Sequence, residues 1–293
     1  MNIAILSRNP ALYSTQSLVK AARRRHHFVR VIDYINCDLV VETNKVKVQY
    51  YGQEIKNIDA IIPRIGSSVT AYGSSVIKQF EAQQVFSTLT SESLYNARNK
   101  MTCLQMLASE GLGVPKTIMS NNYLAFSNLI EQIGTPTIIK LLKGTHGLGV
   151  LLAEKKMQAE SLYETFFKMK KDAVLQEFIE EAGGADIRIF IVDQEIVGVM
   201  ERKARPGDFR SNLHRGGTSQ VVPITHEEAE TAKKAVRVLG LHVAGVDMLR
   251  SKRGPLILEV NASPGLEGIE TTTGVDIAGK IINFVERSVK NNG

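Results

Sequence analysis

The chain has 293 residues, of which 43% are hydrophobic and 23% charged; these proportions allow a sizeable core and exclude extensive disorder. It has two cysteines and no apolar stretch near the roughly 18 residues that cross a bilayer, so disulfide-stapled and membrane-spanning classes are excluded and a soluble cytoplasmic protein is expected. The formal net charge of +6 favours an anionic partner, such as a nucleotide, an acidic peptide or a nucleic acid.

The N-terminal third of the chain is predicted to form a small α/β unit. Its apolar strands are Asn2–Leu6, Phe28–Ile32 and Ala60–Ile65. A helix is predicted over Ser14–Arg25, and strands that alternate with helices are typical of a parallel sheet. Gly66–Tyr72 follows the third strand, and such sheets bind ligands where their strands end.

A single long helix is predicted over Ser91–Gly111, because apolar residues recur along one face of that segment. Farther on, Thr225 and Glu228 have the spacing of a capping box, which starts a helix. The other predicted elements are strands at Thr137–Leu142, Val150–Ala153 and Ala173–Ile179, a helix at Met157–Met169, a hairpin of Asp186–Val192 and Glu195–Met200, a helix at Thr225–Leu239, strands at Val243–Arg250 and Pro255–Val260, and a closing helix at Ile277–Arg287.

A glycine-rich segment, Gly144–Gly149, joins two of the predicted strands. It lacks the Walker A lysine, and it is flanked by strands on both sides, whereas a P-loop runs from a strand into a helix. Glycines let backbone N–H groups approach a phosphate closely. The neighbouring Lys140 and Lys143 favour phosphate binding, and a plain hairpin turn is the alternative.

The strongest local signal is a set of oxygen-bearing side chains on the last two predicted strands. Glu259 and Asn261 are two residues apart and therefore share one face of a strand. A three-residue turn at residues 252–254 would pair residue 250 with 256 and place Asp247 opposite Glu259. Adjacent carboxylates repel unless a cation lies between them, and oxygen ligands favour Mg²⁺ or Mn²⁺ over zinc. A solvated polar face is the alternative.

Two further segments could contact a nucleotide. Glu177 and Phe178 lie in a short extended segment whose backbone could bind an adenine edge, and Asp186 just beyond could hold ribose hydroxyls; a plain edge strand is the alternative. Glu201–Gly217 combines cations with the dipeptides Pro206-Gly207 and Gly216-Gly217, which suits a loop beside an anion site, and a solvated charge run is the alternative. Its cations are Arg202, Lys203, Arg205, Arg210 and Arg215.

These parts occur in an order that resembles the ATP-grasp superfamily. The order is a helical lysine, a strand with a lysine, a glycine loop, a Gln-Glu hinge, a basic loop and a final Asp…Glu-x-Asn set. More specific stretches resemble the RimK family of ribosomal-protein glutamate ligases along essentially the whole chain. These stretches are Ile3–Arg8, Ile62–Gly66, Gly207–Gly217, Glu259–Glu270 and Thr273–Gly279.

The resemblance implies a fold and its division into domains. The fold is α/β, specifically the α+β ATP-grasp fold, with an N-terminal parallel-sheet pre-ATP-grasp domain and ATP between two following lobes. The implied boundaries are 1–93 for the pre-ATP-grasp domain, 94–182 for the small lobe with the glycine loop, and 183–293 for the large lobe with the metal site.

The resemblance also implies roles for single residues. Lys140 and Arg210 would be the catalytic cations, with Arg210 stabilising an oxyanion. Two Mg²⁺ or Mn²⁺ ions would be bridged by Glu259. The ATP-binding residues would be Lys100, Lys140, Gly144, Gly147, Gly149, Glu177, Phe178, Asp186, Arg210, Ser211 and Asn212, and the metal ligands would be Asp247, Glu259 and Asn261.

The implied activity is ATP-dependent carboxylate–amine ligation through an acyl-phosphate. It would add L-glutamate, by α-linked bonds, to the glutamate-ended acidic C-terminal tail of a small-subunit ribosomal protein, and poly-α-glutamate is a further implied product. A homo-oligomer, specifically a tetramer, is implied, with no membrane and no direct nucleic-acid binding. Two alternatives stay open: an ATP-grasp ligase acting on a small molecule or carrier protein, and an ATP-switched ribosome- or RNA-binding protein that uses Arg23–His27.

Overall fold

The structure is a computed structural model, and it describes residues 1–122, 125–142, 149–211, 213 and 216–292. Within these residues, a parallel sheet comes first and two antiparallel sheets follow, each built from its own stretch of sequence. This confirms the predicted α/β arrangement of an N-terminal parallel sheet and two lobes. No helix in the described part of the chain is long and apolar enough to cross a membrane.

The N-terminal unit is a parallel sheet with helices on both faces. In chain order its elements are β1 (Asn2–Leu6), α1 (Tyr13–Arg24), β2 (Phe28–Ile32), β3 (Cys37–Glu42), β4 (Lys45–Tyr50), β5 (Gln53–Glu54), β6 (Ala60–Pro63), α2 (Thr70–Ala82) and β7 (Phe86–Ser87). The strand order is β2-β1-β6-β7. Alternation along β1 sends Ile3 and Ile5 into the core under α1, and Ala4 and Leu6 into the core under α2. The small antiparallel sheet β3–β5 was not predicted.

The predicted single helix after this sheet is wrong, because two helices occur there: α3 (Ser91–Arg98) and α4 (Lys100–Ser109). Asn99 separates them with a ψ of 102°. Its side chain accepts hydrogen bonds from the backbone N–H groups two and three residues on, both at 3.1 Å. Asparagine is a strong N-cap, so it starts a new helix where apolar periodicity alone shows continuity. The break places Lys100 on the first turn of α4.

The small lobe is an antiparallel sheet covered by two helices. Its elements are β8 (Thr117–Ile118), α5 (Phe126–Ile133), β9 (Thr137–Leu141), β10 (Val150–Ala153), α6 (Lys156–Lys168) and β11 (Ala173–Glu177). The strand order is β10-β9-β11-β8. Its buried apolar residues form a cluster of their own: Phe126, Ile130, Ile139, Ala153, Ala159, Tyr163, Ala173 and Leu175.

The large lobe is an antiparallel sheet of order β14-β13-β12-β15-β16. Its elements are β12 (Ala185–Val192), β13 (Glu195–Lys203), β14 (Thr218–Gln220), α7 (His226–Val238), β15 (Val243–Ser251), β16 (Gly254–Asn261), α8 (Glu267–Thr273) and α9 (Ile277–Asn292). The predicted capping box of α7 is confirmed, since Thr225 N–H donates to Glu228 Oε2 at 2.8 Å and Glu228 N–H to Thr225 Oγ1 at 3.1 Å.

The large lobe shares its hydrophobic cores with the N-terminal unit. Leu18 of α1 and Ile281 of α9 belong to one cluster of buried residues. A second cluster joins Leu94 of α3 and Leu107 of α4 to Val260 of β16. Helices α3 and α4, which the predicted boundaries assign to the small lobe, therefore pack with the large lobe and the N-terminal sheet.

Candidate active site

Asp247 and Glu259 lie opposite each other on β15 and β16, as predicted, but by a different route. The turn between the strands contains only residues 252–253, so residue 250 faces 255 and the predicted pairing with 256 is wrong. A β-bulge directly after Asp247 then shifts the ladder by one position and leaves Leu258 without a partner in it. The shorter turn and the bulge compensate, and the two carboxylates meet.

The Asp247 carboxylate is 4% exposed and is held by two arginines. Arg188, opposite it on β12, donates from Nε to Oδ1 and from Nη2 to Oδ2, the latter at 2.6 Å. Arg202 Nη2 lies 3.0 Å from the same Oδ2. Burial alone would raise the pKa of Asp247, but the charges and hydrogen bonds of both arginines outweigh it and lower the pKa to about 2. Asp247 is therefore a fixed anion at neutral pH.

Arg202 links this carboxylate to the candidate ribose ligand. Its guanidinium donates to both oxygens of Asp186, at 2.7 and 2.6 Å, and Ser211 Oγ donates to Asp186 at 2.7 Å. Burial would lower the pKa of Arg202, but the charges of Asp247 and Asp186 raise it instead. Arg202 is only 5% exposed and lies on β13, so its prediction as part of a loop is wrong. Strand alternation places it inside the sheet, among carboxylates that lie far away in sequence.

Glu259 and Asn261 complete the oxygen-rich set. Asn261 Nδ2 lies 3.1 Å from Glu259 Oε1 and 3.4 Å from Asp247 Oδ2, so the three side chains converge. Two carboxylates and a carboxamide suit a hard cation such as Mg²⁺ or Mn²⁺. In the ranges that the structure describes, no three His, Cys, Asp or Glu side chains form such a cluster. A cation here would therefore depend on the amide and on phosphate oxygens of a nucleotide as well as on the two carboxylates.

Lys140 of the small lobe lies close enough to Glu259 and Asp247 to be affected by their charges, and Lys100 of α4 lies near it. Lys140, near the end of β9, directs its Nζ to Gln176 Oε1 at 2.5 Å, and Lys100 Nζ donates to the Leu141 carbonyl at 3.2 Å. Burial lowers the pKa of Lys140 to about 8, and the charge of Lys100 adds to this effect, whereas Glu259 opposes it. A desolvated ammonium group beside a second cation is a good receptor for a polyanion.

The described residues reach the glycine-rich segment only at its end. Gly149 has a φ of +77°, and a Cβ atom there would lie 2.7 Å from Leu141 Cδ1, so only glycine fits this end of the hairpin. Its carbonyl accepts a hydrogen bond from Leu141 N–H at 2.9 Å. The candidate residues Gly144, Gly147 and Asn212 lie outside the described residues.

The candidate adenine segment lies at the junction of the two lobes. Glu177 Oε1 accepts from the backbone N–H of Lys116 at 2.7 Å and pairs with Arg253 of the β15–β16 turn at 2.5 Å. The ring of Phe178 meets that of Phe209 edge-on, with centroids 6.4 Å apart. A flat apolar surface thus stands next to polar groups of the hinge, an arrangement suited to a heteroaromatic base.

Arg210 follows this aromatic pair. It forms a two-pronged ion pair with Asp208 at 2.9 and 3.0 Å, which holds the pKa of Asp208 well below its usual range, and its guanidinium lies 5.4 Å from the Phe209 ring centroid. Its Nη1 also reaches the Val150 carbonyl of the small lobe at 3.5 Å. Arg210 therefore bridges the two lobes, since it contacts Asp208 on one side and the Val150 carbonyl on the other.

Arg188 is a site residue that the sequence reasoning missed. It lies two residues after Asp186 on β12 and so shares its face of the strand. The Asp-x-Arg spacing was visible in the sequence. Its meaning depends on the pairing of β12 with β15, which are separated by two other strands and a helix along the chain.

Known protein families match nearly the whole chain. Residues 1–94 match the RimK pre-ATP-grasp domain, and residues 97–285 match the RimK-like ATP-grasp domain. The chain belongs to the RimK family of ATP-grasp proteins. It is therefore an ATP-dependent ligase that forms amide bonds, and the resemblance found in the sequence is confirmed.

Individual members of the wider superfamily agree with this assignment. The probable alpha-L-glutamate ligase 1 of Hahella chejuensis is 52% identical over 288 residues, which cover 98% of this chain and 95% of the relative. The ATP-grasp ligase PsnB, solved with a minimal precursor, shares the fold with a TM-score of 0.77 at 20% identity over 98% of both chains. D-alanine–D-alanine ligase from Bacillus anthracis, solved with ATP, shares it with a TM-score of 0.70 at 18% identity over 100% of both chains. PsnB has also been solved with Mg and ADP, and ATP-grasp enzymes use ATP together with Mg²⁺.

Proposed function

We propose that this ligase adds L-glutamate, by α-linked peptide bonds, to the C-terminal glutamate of an acidic protein tail. One observation carries the proposal: buried Asp247 and half-buried Glu259 lie opposite each other and close enough to Lys140 to affect its pKa, in a chain that is 52% identical to a probable alpha-L-glutamate ligase. The pair can hold the cation that accompanies ATP, and the lysine can neutralise the phosphoryl group in transfer.

In this proposal ATP lies between the lobes. Lys100 and Lys140 contact its phosphates, Gly144, Gly147 and Gly149 cover them, and the hinge residues Glu177 and Phe178 hold the adenine. Asp186 accepts a ribose hydroxyl, although its oxygens already accept from Arg202 and Ser211. Ser211 and Asn212 lie along the nucleotide.

Asp247, Glu259 and Asn261 would hold two Mg²⁺ or Mn²⁺ ions. These ions would supply charge neutralisation for the nucleotide phosphates. Asp247 is suited to this role because the arginines beside it keep it ionised and fix its orientation. Arg188 and Arg202 therefore position the Asp247 carboxylate and do not contact the substrate themselves.

The proposed reaction has two steps. A carboxylate oxygen of the acceptor attacks the γ-phosphorus of ATP, which gives an acyl-phosphate and ADP, with Lys140 offsetting charge on the transferred group. The amine nitrogen of glutamate then attacks the acyl carbon, phosphate leaves, and the amine loses a proton as the amide forms. Arg210 stabilises the oxyanion of the tetrahedral intermediate, and losing one such donor typically costs a few kcal/mol.

The proposed acceptor is the glutamate-ended tail of a small-subunit ribosomal protein, and free poly-α-glutamate is a second product of the same chemistry. The net charge of +6 favours such an acidic partner. With Arg202 buried, the exposed cations in the described part of this segment are Lys203 and Arg205. We further propose that the enzyme works in the cytoplasm as a homotetramer, which light scattering after gel filtration can test.

The direct test incubates the protein with ATP, Mg²⁺ and L-glutamate, together with a peptide that ends in glutamates or a matched peptide that ends in lysines. Tandem mass spectrometry should find α-linked glutamate additions on the acidic peptide only. The KM for that peptide should rise with salt more than the KM for ATP, because exposed charges are screened over roughly 8 Å at physiological ionic strength. Equal modification of both peptides, or addition to free amino acids alone, would refute the acidic-tail acceptor and indicate a small-molecule ligase.

A further inference from the structure

Two arginines lie together where the N-terminal sheet meets the large lobe, next to the carboxylate pair. Arg64, directly after β6, donates from Nη2 to the Pro264 carbonyl at 2.6 Å. Arg98, at the end of α3, donates from Nη2 to the Ile65 carbonyl at 2.5 Å. Among the described residues neither arginine forms an ion pair with a carboxylate, in contrast to Arg188 and Arg202. Carbonyl oxygens therefore satisfy part of each guanidinium but leave its charge uncompensated.

Two polar atoms at this junction lack a hydrogen-bond partner within the described part of the chain. They are Arg98 Nε and Ser263 Oγ, and both are buried. Burial lowers the pKa of Arg64 to about 10, and repulsion from Arg98 adds to this effect. Burial also lowers the pKa of Arg98, although the charge of Glu259 opposes it. Two desolvated like charges with free donors are unfavourable unless an anion joins them.

The position of the cluster restricts what that anion can be. Arg64 lies at the carboxyl end of β6, the edge at which parallel sheets bind ligands. Ser263 is two residues beyond Asn261, and Arg98 is close enough to Glu259 to feel its charge. In the proposed function, Lys100 and Lys140 contact the phosphates, which leaves the two arginines for a different anion. The planar fork of a guanidinium fits the two oxygens of a carboxylate better than a lysine does.

We infer that Arg64, Arg98 and Ser263 form a receptor for a glutamate carboxylate that does not take part in the reaction. This inference rests on the proposed function and specifies how the site recognises a substrate. The carboxylate belongs either to the incoming glutamate or to the glutamate at the acceptor end. In both cases it is held beside the metal carboxylates, so the receptor positions the substrate and selects it over glutamine or lysine.

The test measures the KM for glutamate, for the acidic peptide and for ATP in Arg98→Gln, Arg64→Gln and Ser263→Ala. The control is Arg250→Gln, which removes an arginine that pairs with Glu228 on another part of the large lobe. In Arg98→Gln and in Arg64→Gln, the KM for one carboxylate substrate should rise about ten- to a hundredfold, because a charge-assisted hydrogen bond is lost. Arg250→Gln should leave that KM within about twofold of wild type. The KM for ATP should stay within about twofold of wild type, and Ser263→Ala should shift the same KM less.

The substrate whose KM rises identifies the source of the carboxylate: glutamate in one case, the acceptor peptide in the other. Arg98→Lys keeps the charge but loses the fork, and it carries the test if Arg98→Gln does not fold. KM values for both carboxylate substrates that stay within about twofold, or an equal rise in the KM for ATP, would overturn the inference. A wild-type enzyme that ligates a different amino acid would refute the proposed function, yet the same comparison on that amino acid would still test the receptor.

Discussion

The N-terminal sheet is joined to the large lobe mainly by apolar packing, whereas the small lobe is joined to both mainly by polar contacts. The N-terminal sheet and the large lobe share two clusters of buried apolar side chains, whereas the small lobe has a core of its own. The described hydrogen bonds and ion pairs that reach the small lobe include Lys100 to Leu141, Arg253 to Glu177 and Arg210 to Val150. Water can replace such polar contacts, but it cannot replace apolar burial.

This difference assigns separate tasks to the two regions. Asp247, Glu259 and the Arg64–Arg98 cluster lie on the part that is fixed by a common core, so their mutual distances are set by packing. Lys140 lies on the part that can reorient with little loss of buried apolar surface. The structure thus supports a fixed surface that carries the candidate metal ligands and an adjustable small lobe that carries Lys140, the candidate phosphate ligand, a division that suits a ligase in which water must be excluded during transfer.

The largest effect is expected in the fixed region, from Arg202→Leu. The substitution leaves Asp186 without its two-pronged partner and removes one of the two cations beside Asp247. Breaking a buried ion pair should lower the free energy of unfolding by about 3–5 kcal/mol, measured by urea denaturation. The neighbouring Lys203, whose side chain is 56% exposed and pairs with Glu201, supplies the control, and Lys203→Ala should change stability by less than about 1 kcal/mol. Equal effects at both positions would contradict the buried network.

The second effect concerns chemistry in the same region. Glu259→Gln keeps the size of the side chain but removes the charge opposite Asp247, so kcat should fall about 10²–10³-fold while ATP binding stays measurable by calorimetry. Glu230→Gln, at an exposed position of α7, is the matched control. Wild-type turnover by Glu259→Gln at saturating Mg²⁺ would rule out the metal role of this pair.

The third effect is a pH dependence of ATP binding that arises from Lys140 in the small lobe. Because burial lowers the pKa of Lys140 to about 8, its ammonium form becomes the minor form above that pH, and phosphate binding then requires proton uptake. The Kd for ATP should therefore rise above pH 8, by up to about tenfold per pH unit. Arginine stays charged throughout this range, so Lys140→Arg should show no such rise, and Lys140→Ala should bind weakly at every pH. If the Kd for ATP of the wild type did not change with pH, Lys140 would not contact the phosphates.

The smallest effect is expected at the contact between the lobes. Arg253 pairs with Glu177 across the hinge, but its side chain is 57% exposed. Arg253→Ala should therefore change the free energy of unfolding by less than about 1 kcal/mol in urea denaturation. Lys280→Ala removes an exposed ion pair that does not involve the small lobe and serves as the reference. A loss above about 2 kcal/mol specific to Arg253→Ala would mean that the small lobe is anchored, and the comparison of the two regions would fail.

Local patterns in the sequence predicted much of the fold. The bounds of β1, β2 and β10 were predicted as they occur, because runs of apolar residues end at polar or glycine residues. The capping box of α7 was also visible, since its two residues lie three apart. The break at Asn99 was missed because apolar periodicity continues through it, while a single side chain starts the new helix.

The site was harder to predict, because its ion pairs join distant strands. Strand alternation places Arg188 and Arg202 on particular faces, but it does not say which carboxylates lie across from them. The prediction therefore assigned Arg202 to a loop beside an anion site and did not include Arg188. The Asp247–Glu259 pair was predicted correctly although the turn was predicted one residue too long, since the bulge compensated for that error.

The bulge after Asp247 also affects how the hairpin can change in evolution. With the two-residue turn and a regular ladder, Leu258 rather than Glu259 would lie opposite Asp247. The extra residue of β16 therefore offsets the length of the turn. If Gly254 joined the turn and the bulge were lost, Asp247 and Glu259 would still face each other, whereas the same change in the turn with the bulge kept would place Val260 opposite Asp247. At constant chain length the turn and the bulge are therefore coupled, because neither can change alone if Asp247 is to face Glu259.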